Sequence, residues 1–138
     1  MSAQEQMINS YLQNLGVPGQ LQALPANPTL KLVAISYSSV NMAVILVQDS
    51  VLFLEAGLGY APKQTLLPFY RRLLVANSNL INASFCLKEN DNNVVIRSSR
   101  QVIGLDFQEF KAMVDAVVLA VHQQAAPIAR DFPFQATP

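Results

Sequence analysis

The chain has 138 residues, a formal net charge of zero and only 13% charged residues against 51% hydrophobic ones. This length suits one domain with one core. The neutral charge and the lack of a basic stripe argue against nucleic-acid binding, and no apolar run approaches the roughly 20 residues of a membrane span.

The first predicted element is an amphipathic helix over residues 3–15. Ser2 can cap it, and Glu5 three residues later completes a capping box. Gly16 supplies the C-terminal stop. Between these ends, apolar residues recur at helical spacing: Met7, Ile8, Tyr11, Leu12 and Leu15.

Three strand-like runs follow, rich in branched and aromatic residues. They cover residues 30–37, 42–47 and 51–55. Their short connections favour antiparallel hairpins over crossover helices. Because the second run is apolar on both faces, it is predicted to lie at the centre of the sheet or inside an interface. Gly57 and Gly59 are predicted to break the third strand.

A second helix is predicted to start after Thr65, which leaves Pro68 in the first turn, where its missing N–H costs little. A start at Pro62 would instead make Pro68 a kink. The helix is predicted to end near residues 77–79. Its inner faces are predicted to carry Leu66, Leu67, Phe69, Tyr70, Leu73 and Leu74.

The last third of the chain contains a hairpin and a long helix. Residues 83–88 and 94–98 are predicted to pair around a polar turn. Asp106 and Glu109 form a capping box, with Leu105 stapling onto Phe110. Apolar residues follow at helical spacing: Phe107, Phe110, Met113, Val114, Val117, Val118 and Val121.

Pro127 is predicted to end or bend this helix. We therefore expect a domain over residues 1–126 and a tail over residues 127–138 that is either flexible or docked. The tail carries Phe132 and Phe134 without any periodicity.

Together these elements predict a single α+β domain with an antiparallel sheet in the order α-β-β-β-α-β-β-α. A surface that draws on 12 Gln and 10 Asn repels its neighbours weakly, which favours self-association or a partner interface. The lone cysteine, Cys86, fits a reducing cytosol. Because residues 1–6 show no secretory signal, a cytoplasmic protein is expected.

The polar residues form no catalytic or metal-binding motif. One His and one Cys, without Cys-x-x-Cys or His-x-x-x-His spacing, do not make a metal site. His122 belongs to no nucleophile motif. Glu55 stands alone, and a single carboxylate makes no mechanism. The expectation is therefore a protein that is not an enzyme and needs neither metal nor cofactor.

Four segments carry a resemblance to a known family: Leu73-Leu74-Val75-Ala76-Asn77, Ala83-Ser84-Phe85, Asn93-Val94-Val95-Ile96-Arg97, and Gly104-Leu105-Asp106-Phe107 with Phe110. In content and spacing they resemble the C-terminal half of type III secretion chaperones (CesT-like) and of the related YbjN-like domains. The predicted element order matches that family over residues 3–124.

The resemblance implies a chaperone that is usually a homodimer and binds an extended client segment through apolar patches on the sheet and first helix. Extended peptides use apolar pockets and exposed strand edges in this way. The residues expected to contact the partner are Met7, Tyr11, Val33, Ile35, Val44, Leu46 and Phe53.

The neutral charge departs from this family, whose secretion members are usually acidic. It favours an assembly factor with other clients, for example a cyanobacterial carboxysome shell protein. The alternative is a YbjN-like regulatory or small-molecule-binding module, which would need a closed pocket with convergent polar groups. A docked tail would place Phe132 and Phe134 on the client groove and occlude it until a client arrives.

Overall fold

A computed structural model describes residues 1–138 and contains six strands and four α-helices. The helices are α1 (Ala3–Leu15), α2 (Leu66–Asn77), α3 (Phe107–Ala120) and α4 (Ala126–Asp131), the last two joined by a π-helical turn (Val121–Ala125). The strands are β1 (Gln22–Leu24), β2 (Asn27–Tyr37), β3 (Val40–Val47), β4 (Val51–Tyr60), β5 (Ser84–Leu87) and β6 (Asn93–Gln101).

The strands form one antiparallel sheet in the order β1-β2-β3-β4-β6-β5. The predicted fold class is confirmed, with the short edge strand β1 as an addition that the sequence pattern did not indicate. The strand β3 lies between β2 and β4, inside the sheet, as its apolar pattern predicted. The core fills the space between one face of the sheet and the helices.

The N-terminus of α1 is capped as predicted, since the Ser2 hydroxyl accepts the Glu5 N–H at 3.0 Å. The Glu5 carboxylate does not complete the capping box. It pairs instead with the Lys31 ammonium of β2 at 2.9 Å, and Lys31 also contacts Asp49 at 3.0 Å. Hydrogen bonds to Glu5 and Asp49 raise the pKa of Lys31. The ion pair between Glu5 and Lys31 therefore links α1 to strand β2.

The glycines predicted to break the third strand form a bulge inside it. β4 continues to Tyr60, and its pairing with β6 shifts register between Gly57 and Gly59. Gly59 has a φ of +111°, which a side chain would strain. A bulge adds one residue and bends the strand without ending it.

The helix α2 begins at Leu66, and Pro68 lies in its first turn as predicted. The predicted buried face of α2 is wider than the face that the structure buries. Phe69 and Leu73 are buried, whereas Leu67 and Leu74 are 83% and 70% exposed. Since α2 packs beside the edge strand β5 rather than over the sheet centre, the fold covers only one stripe of the helix.

The helix α3 carries the predicted capping box, formed by Asp106 and Glu109. By length and a mean hydropathy of 1.2, the helical stretch Phe107–Asp131 could cross a membrane. It is the core helix of this fold, however, packed against β4 and β6. Its buried side chains are Phe110, Met113, Val114, Val117, Val118 and Ala120.

Pro127 does not end the helix. The Ala126 N–H donates to the Val121 carbonyl five residues back, and α4 continues to Asp131 with Pro127 in its first turn. A wide turn of this kind allows a helix to accommodate a proline, which has no backbone N–H to donate to the carbonyl four residues back.

The tail is docked on the helix side of the sheet. The rings of Phe132 and Phe134 meet the Phe69 ring of α2 edge-on, with centroids 6.0 and 5.6 Å apart. Gln135 and Tyr60 exchange two backbone hydrogen bonds of 2.8 Å. The last residues thus extend the core at the end of β4.

Candidate partner-binding surface

The sheet has two apolar faces, and the helices cover only one of them. Along β3, alternate residues starting at Val40 are buried beneath the helices, while those starting at Asn41 point away. Strand register carries this alternation across the sheet, since side chains of paired residues share a face. Ile45, for example, lies between Leu32 of β2 and Phe53 of β4.

We call the uncovered side the outer sheet face. Its apolar side chains are only half-buried in most cases, and none belongs to the core cluster or packs against it. They are Leu30, Leu32, Ala34, Ala43, Ile45, Val47, Val51, Phe53, Cys86 and Val95. Ala34 is exposed, Val95 is buried, and the others are half-buried.

An ionic cluster lies on the same face. Glu55 is directly opposite Arg97 in the sheet, and its carboxylate is 8% exposed. The Arg97 guanidinium donates to Glu55 Oε1 through Nε at 2.8 Å and through a terminal nitrogen. The Lys88 ammonium is 3.6 Å from Oε2. The guanidinium also lies 4.9 Å from the centre of the Phe53 ring, at cation–π distance.

At the end of the sheet, the outer sheet face runs into a groove beside α1. The groove is lined by Met7 and Gln4 of α1, by Gln101 of β6 and by Ile103 of the following loop. Ile103 is 87% exposed. Asp49 and Ser50 also line this Met7 groove. Because Gln101 pairs with Val51, the groove adjoins the outer sheet face at the start of β4.

A second apolar surface lies on α2 and the neighbouring sheet edge. Leu67, Leu74 and Val75 of α2 are exposed, as is Leu87 of the edge strand β5. We call these four residues the α2 stripe. Leu67 and Leu74 are seven residues apart, which places them on one side of the helix.

The structure separates the residues expected to contact a partner into three groups. Val44 and Leu46 are fully buried and Ile35 is 5% exposed, so these three residues are core and not available to a partner. Val33 is half-buried and packs against the core. Phe53 lies on the outer sheet face, and Met7 lines the groove while also packing against the core.

Tyr11 is also held by the core. Its ring packs against Phe107 and Phe110, with centroids 5.9 and 5.7 Å apart, and its hydroxyl donates to the Leu105 carbonyl at 2.7 Å. Burial, followed by the charges of Asp106 and Glu109, raises the pKa of this hydroxyl. Tyr11 therefore joins α1 to the start of α3.

The β3 residues expected to contact a partner, Val44 and Leu46, lie on the covered face of the strand. A shift of one residue along a strand moves the side chain to the other face. Two polar residues in the sequence indicate which face of each strand lies away from the core. Asn41 lies on the same face as Ile45 and Val47, and Glu55 on the same face as Phe53 and Val51. Each marks the face that does not belong to the core.

No group of three or more His, Cys, Asp or Glu side chains is arranged to hold a metal ion. The lone thiol, Cys86, lies on the outer sheet face beside Ser84, with the sulfur 3.5 Å from the hydroxyl oxygen. The surface geometry thus offers apolar contacts and ion pairs.

The family model CesT_Tir_1 matches residues 1–130. The chain therefore belongs to this family, and its fold is that of type III secretion chaperones and of YbjN. None of the curated proteins matches the chain significantly.

Solved structures show the same fold at low sequence identity. An uncharacterized protein from Methanothermobacter thermautotrophicus is 14% identical, with a TM-score of 0.69 over 94% of this chain and 99% of its own. The ExoU–SpcU complex of the type III secretion system of Pseudomonas aeruginosa contains a chain that is 15% identical, with a TM-score of 0.64 over 88% and 97%. YbjN from E. coli, a putative transcription regulator by its title, is 14% identical, with a TM-score of 0.60 over 91% of each chain.

Proposed function

We propose that this protein is a cytoplasmic, non-enzymatic chaperone or assembly factor that binds an extended segment of a client protein on the outer sheet face. The observation that carries the proposal is the second apolar face of the sheet, which none of the helices covers. Burial of such a face in a complex removes apolar area from water and favours association.

The shape of this surface suits a segment rather than a folded domain. The apolar track runs from Ile45 and Phe53 across Val51 to the groove of Met7 and Ile103. Successive outward side chains on one strand are about 7 Å apart, which is also the spacing of alternate side chains in an extended peptide. A client segment can therefore place every second side chain on the track.

Solved relatives agree with a protein client. One is the HopA1–SchA chaperone–effector complex and another is the ExsC–ExsE complex. A carboxysome shell protein is one candidate for the client.

We also propose that two copies associate through the α2 stripe. Leu67 and Leu74 face solvent in the single chain, and β5 beside them is an edge strand with unpaired backbone groups on one side. A two-fold axis beside α2 would place the stripe of one copy against the same stripe of the other. In sedimentation velocity, Leu74→Asp is expected to give a monomer where the unaltered protein gives a dimer.

The matched control for this variant is Leu119→Asp, since Leu119 is an exposed leucine on a different helix, α3. It should leave the dimer intact. A monomeric unaltered protein would remove the dimer proposal and leave the client proposal in place.

The client proposal is tested by tagged-protein capture from a lysate of the source cells. Ile45→Asp puts a charge in the middle of the outer sheet face and is expected to lower recovery of a stoichiometric partner at least tenfold, or about 1.4 kcal/mol. Leu119→Asp again serves as the control, and circular dichroism verifies that both variants are folded. Equal recovery by Ile45→Asp and the unaltered protein would exclude this face as the binding site.

A small-molecule or regulatory module, as the YbjN likeness suggests, remains the second candidate function. The expected closed pocket is replaced here by an open polar groove between α1 and the loop that follows it, lined by Asn9, Ser10, Gln13 and Gln20 among others, and this groove is the candidate ligand site. Such a site predicts that a small ligand raises the melting temperature. Gln13→Ala should abolish that rise without affecting client capture.

A further inference from the structure

The outer sheet face carries one unit of surplus positive charge. Two cations, Arg97 and Lys88, flank the single carboxylate of Glu55. The other side chains that the strand register places on this face are uncharged, among them Asn41, Ser84, Ser99 and Gln101. In apolar surroundings an unmatched charge interacts more strongly than at an ordinary wet surface.

Both cations keep hydrogen-bond donors that Glu55 does not use. Arg97 directs its Nε and one terminal nitrogen to Glu55, so its second terminal nitrogen makes no hydrogen bond. Lys88 lies 3.6 Å from the carboxylate and donates no hydrogen bond. The two side chains are 33% and 40% exposed. They can therefore reach a group that docks on the face.

The cluster is also held in place before any partner arrives. The cation–π contact with Phe53 and the bond to Glu55 fix the guanidinium on the sheet. A donor that is already ordered loses little conformational freedom on binding. Glu55 itself is not free to bind a partner's cation, because it is buried and shared between Arg97 and Lys88.

We propose that this cluster selects client segments in which apolar side chains flank one Asp or Glu. The inference rests on the proposed client site. The client carboxylate accepts hydrogen bonds from Lys88 and from the free nitrogen of Arg97, and bonds of this charge-assisted type are the strong ones. A Lys or Arg at the same position of the client would meet like charge and be rejected.

The test uses a displayed peptide library in which alternate positions are Val, Leu, Ile or Phe and the positions between them are fully random. Bound and unbound pools are sequenced. For the unaltered protein, we expect about tenfold enrichment of Asp and Glu over Asn and Gln at one random position, from one charge-assisted bond, together with depletion of Lys and Arg.

Lys88→Gln removes the surplus charge and leaves the Glu55–Arg97 pair intact. It is expected to reduce the acidic enrichment to less than about threefold, and Lys88→Glu should turn it into enrichment of Lys and Arg. The matched control is Lys63→Gln, which changes the net charge equally on an exposed loop before α2. It should leave the enrichment unchanged.

Two results would overturn the inference in distinguishable ways. Peptides that bind through Ile45 with no preference for acidic residues, or a preference that Lys63→Gln removes as well, would reject the selection and keep the client site. A library that does not bind, with a dimer that Ile45→Asp dissociates, would show that a second copy covers the face and would reject both proposals.

Discussion

Apart from Asn41, the two faces of β3 have nearly the same composition and opposite surroundings. Val40, Met42, Val44 and Leu46 lie under the helices and are buried, whereas Ala43, Ile45 and Val47 lie on the outer sheet face and stay half-buried. Hydrophobicity alone does not distinguish the two sets. The difference comes from the helices, which all pack on one side, and it divides the strand into one face that belongs to the core and one that does not.

The largest expected effect separates these two roles at neighbouring residues. Leu46→Ala should lower the free energy of unfolding by about 2–5 kcal/mol, because it leaves a cavity in the core. Ile45→Ala on the other face should cost about 1 kcal/mol or less, since the side chain is already partly in water. Urea unfolding of the two variants measures both values. Equal losses would mean that the outer face belongs to the core.

The next effect concerns the docked tail. Phe134→Ala should cost about 1–2 kcal/mol of stability through the lost contact with Phe69. Gly59→Ala should act in the same direction, since an added Cβ would lie 2.7 Å from the Gln135 carbonyl oxygen at a φ of +111°. Thermal unfolding would detect both changes.

Removal of residues 132–138 tests whether the tail acts on the covered face of the sheet or on the outer sheet face. The tail packs on the helix side, at Phe69 and Tyr60, so its removal should lower stability and leave client affinity unchanged. The tail is therefore expected to stabilise the fold and not to occlude the client site. Tighter client binding by the shortened chain would restore the occluding role.

A smaller effect is expected at Tyr11, on the covered side. Tyr11→Phe removes the hydroxyl that donates to the Leu105 carbonyl and should cost about 1 kcal/mol. Client capture should not change, because the ring remains in place against Phe107 and Phe110. Reduced capture with unchanged stability would instead assign Tyr11 to the partner surface.

The smallest effect is a dependence of stability on acid. The hydrogen bond from Lys31 lowers the pKa of Asp49 below its ordinary value of 3.8. A carboxylate with a lowered pKa stabilises the fold above that ordinary value, and this contribution is lost as the pH falls through the lowered pKa. The difference in urea midpoint between the unaltered protein and Asp49→Asn should therefore be present at pH 7 and shrink below pH 3.8. If the difference in urea midpoint were the same at both pH values, the charge of Asp49 would not contribute to stability.

Most of the fold follows from local patterns in the sequence. Capping residues at Ser2 and Asp106 and the hairpin turns gave the order of the elements, because caps and turns depend on neighbours in the chain. The face that each strand turns to the helices depends instead on contacts between distant residues. That is why the sequence pattern places Val44 and Leu46 at the surface, whereas the structure buries both and leaves Ile45 half-buried on the other face. The Glu55–Arg97 pair, 42 residues apart in the chain, likewise becomes visible only through the register of β4 and β6.

The π-helical turn before Pro127 determines the direction in which the C-terminal segment leaves α3. An α-helix rotates by about 100° per residue, so one residue added to a turn rotates everything beyond it by that angle. In this phase Ile128 is buried and the chain leaves α4 towards Phe69 and Tyr60. A helix without the wide turn would aim the same residues elsewhere. Loss or gain of a single residue between Val121 and Ala125 would thus reorient residues 126–138 while leaving the packing of α3 as it is.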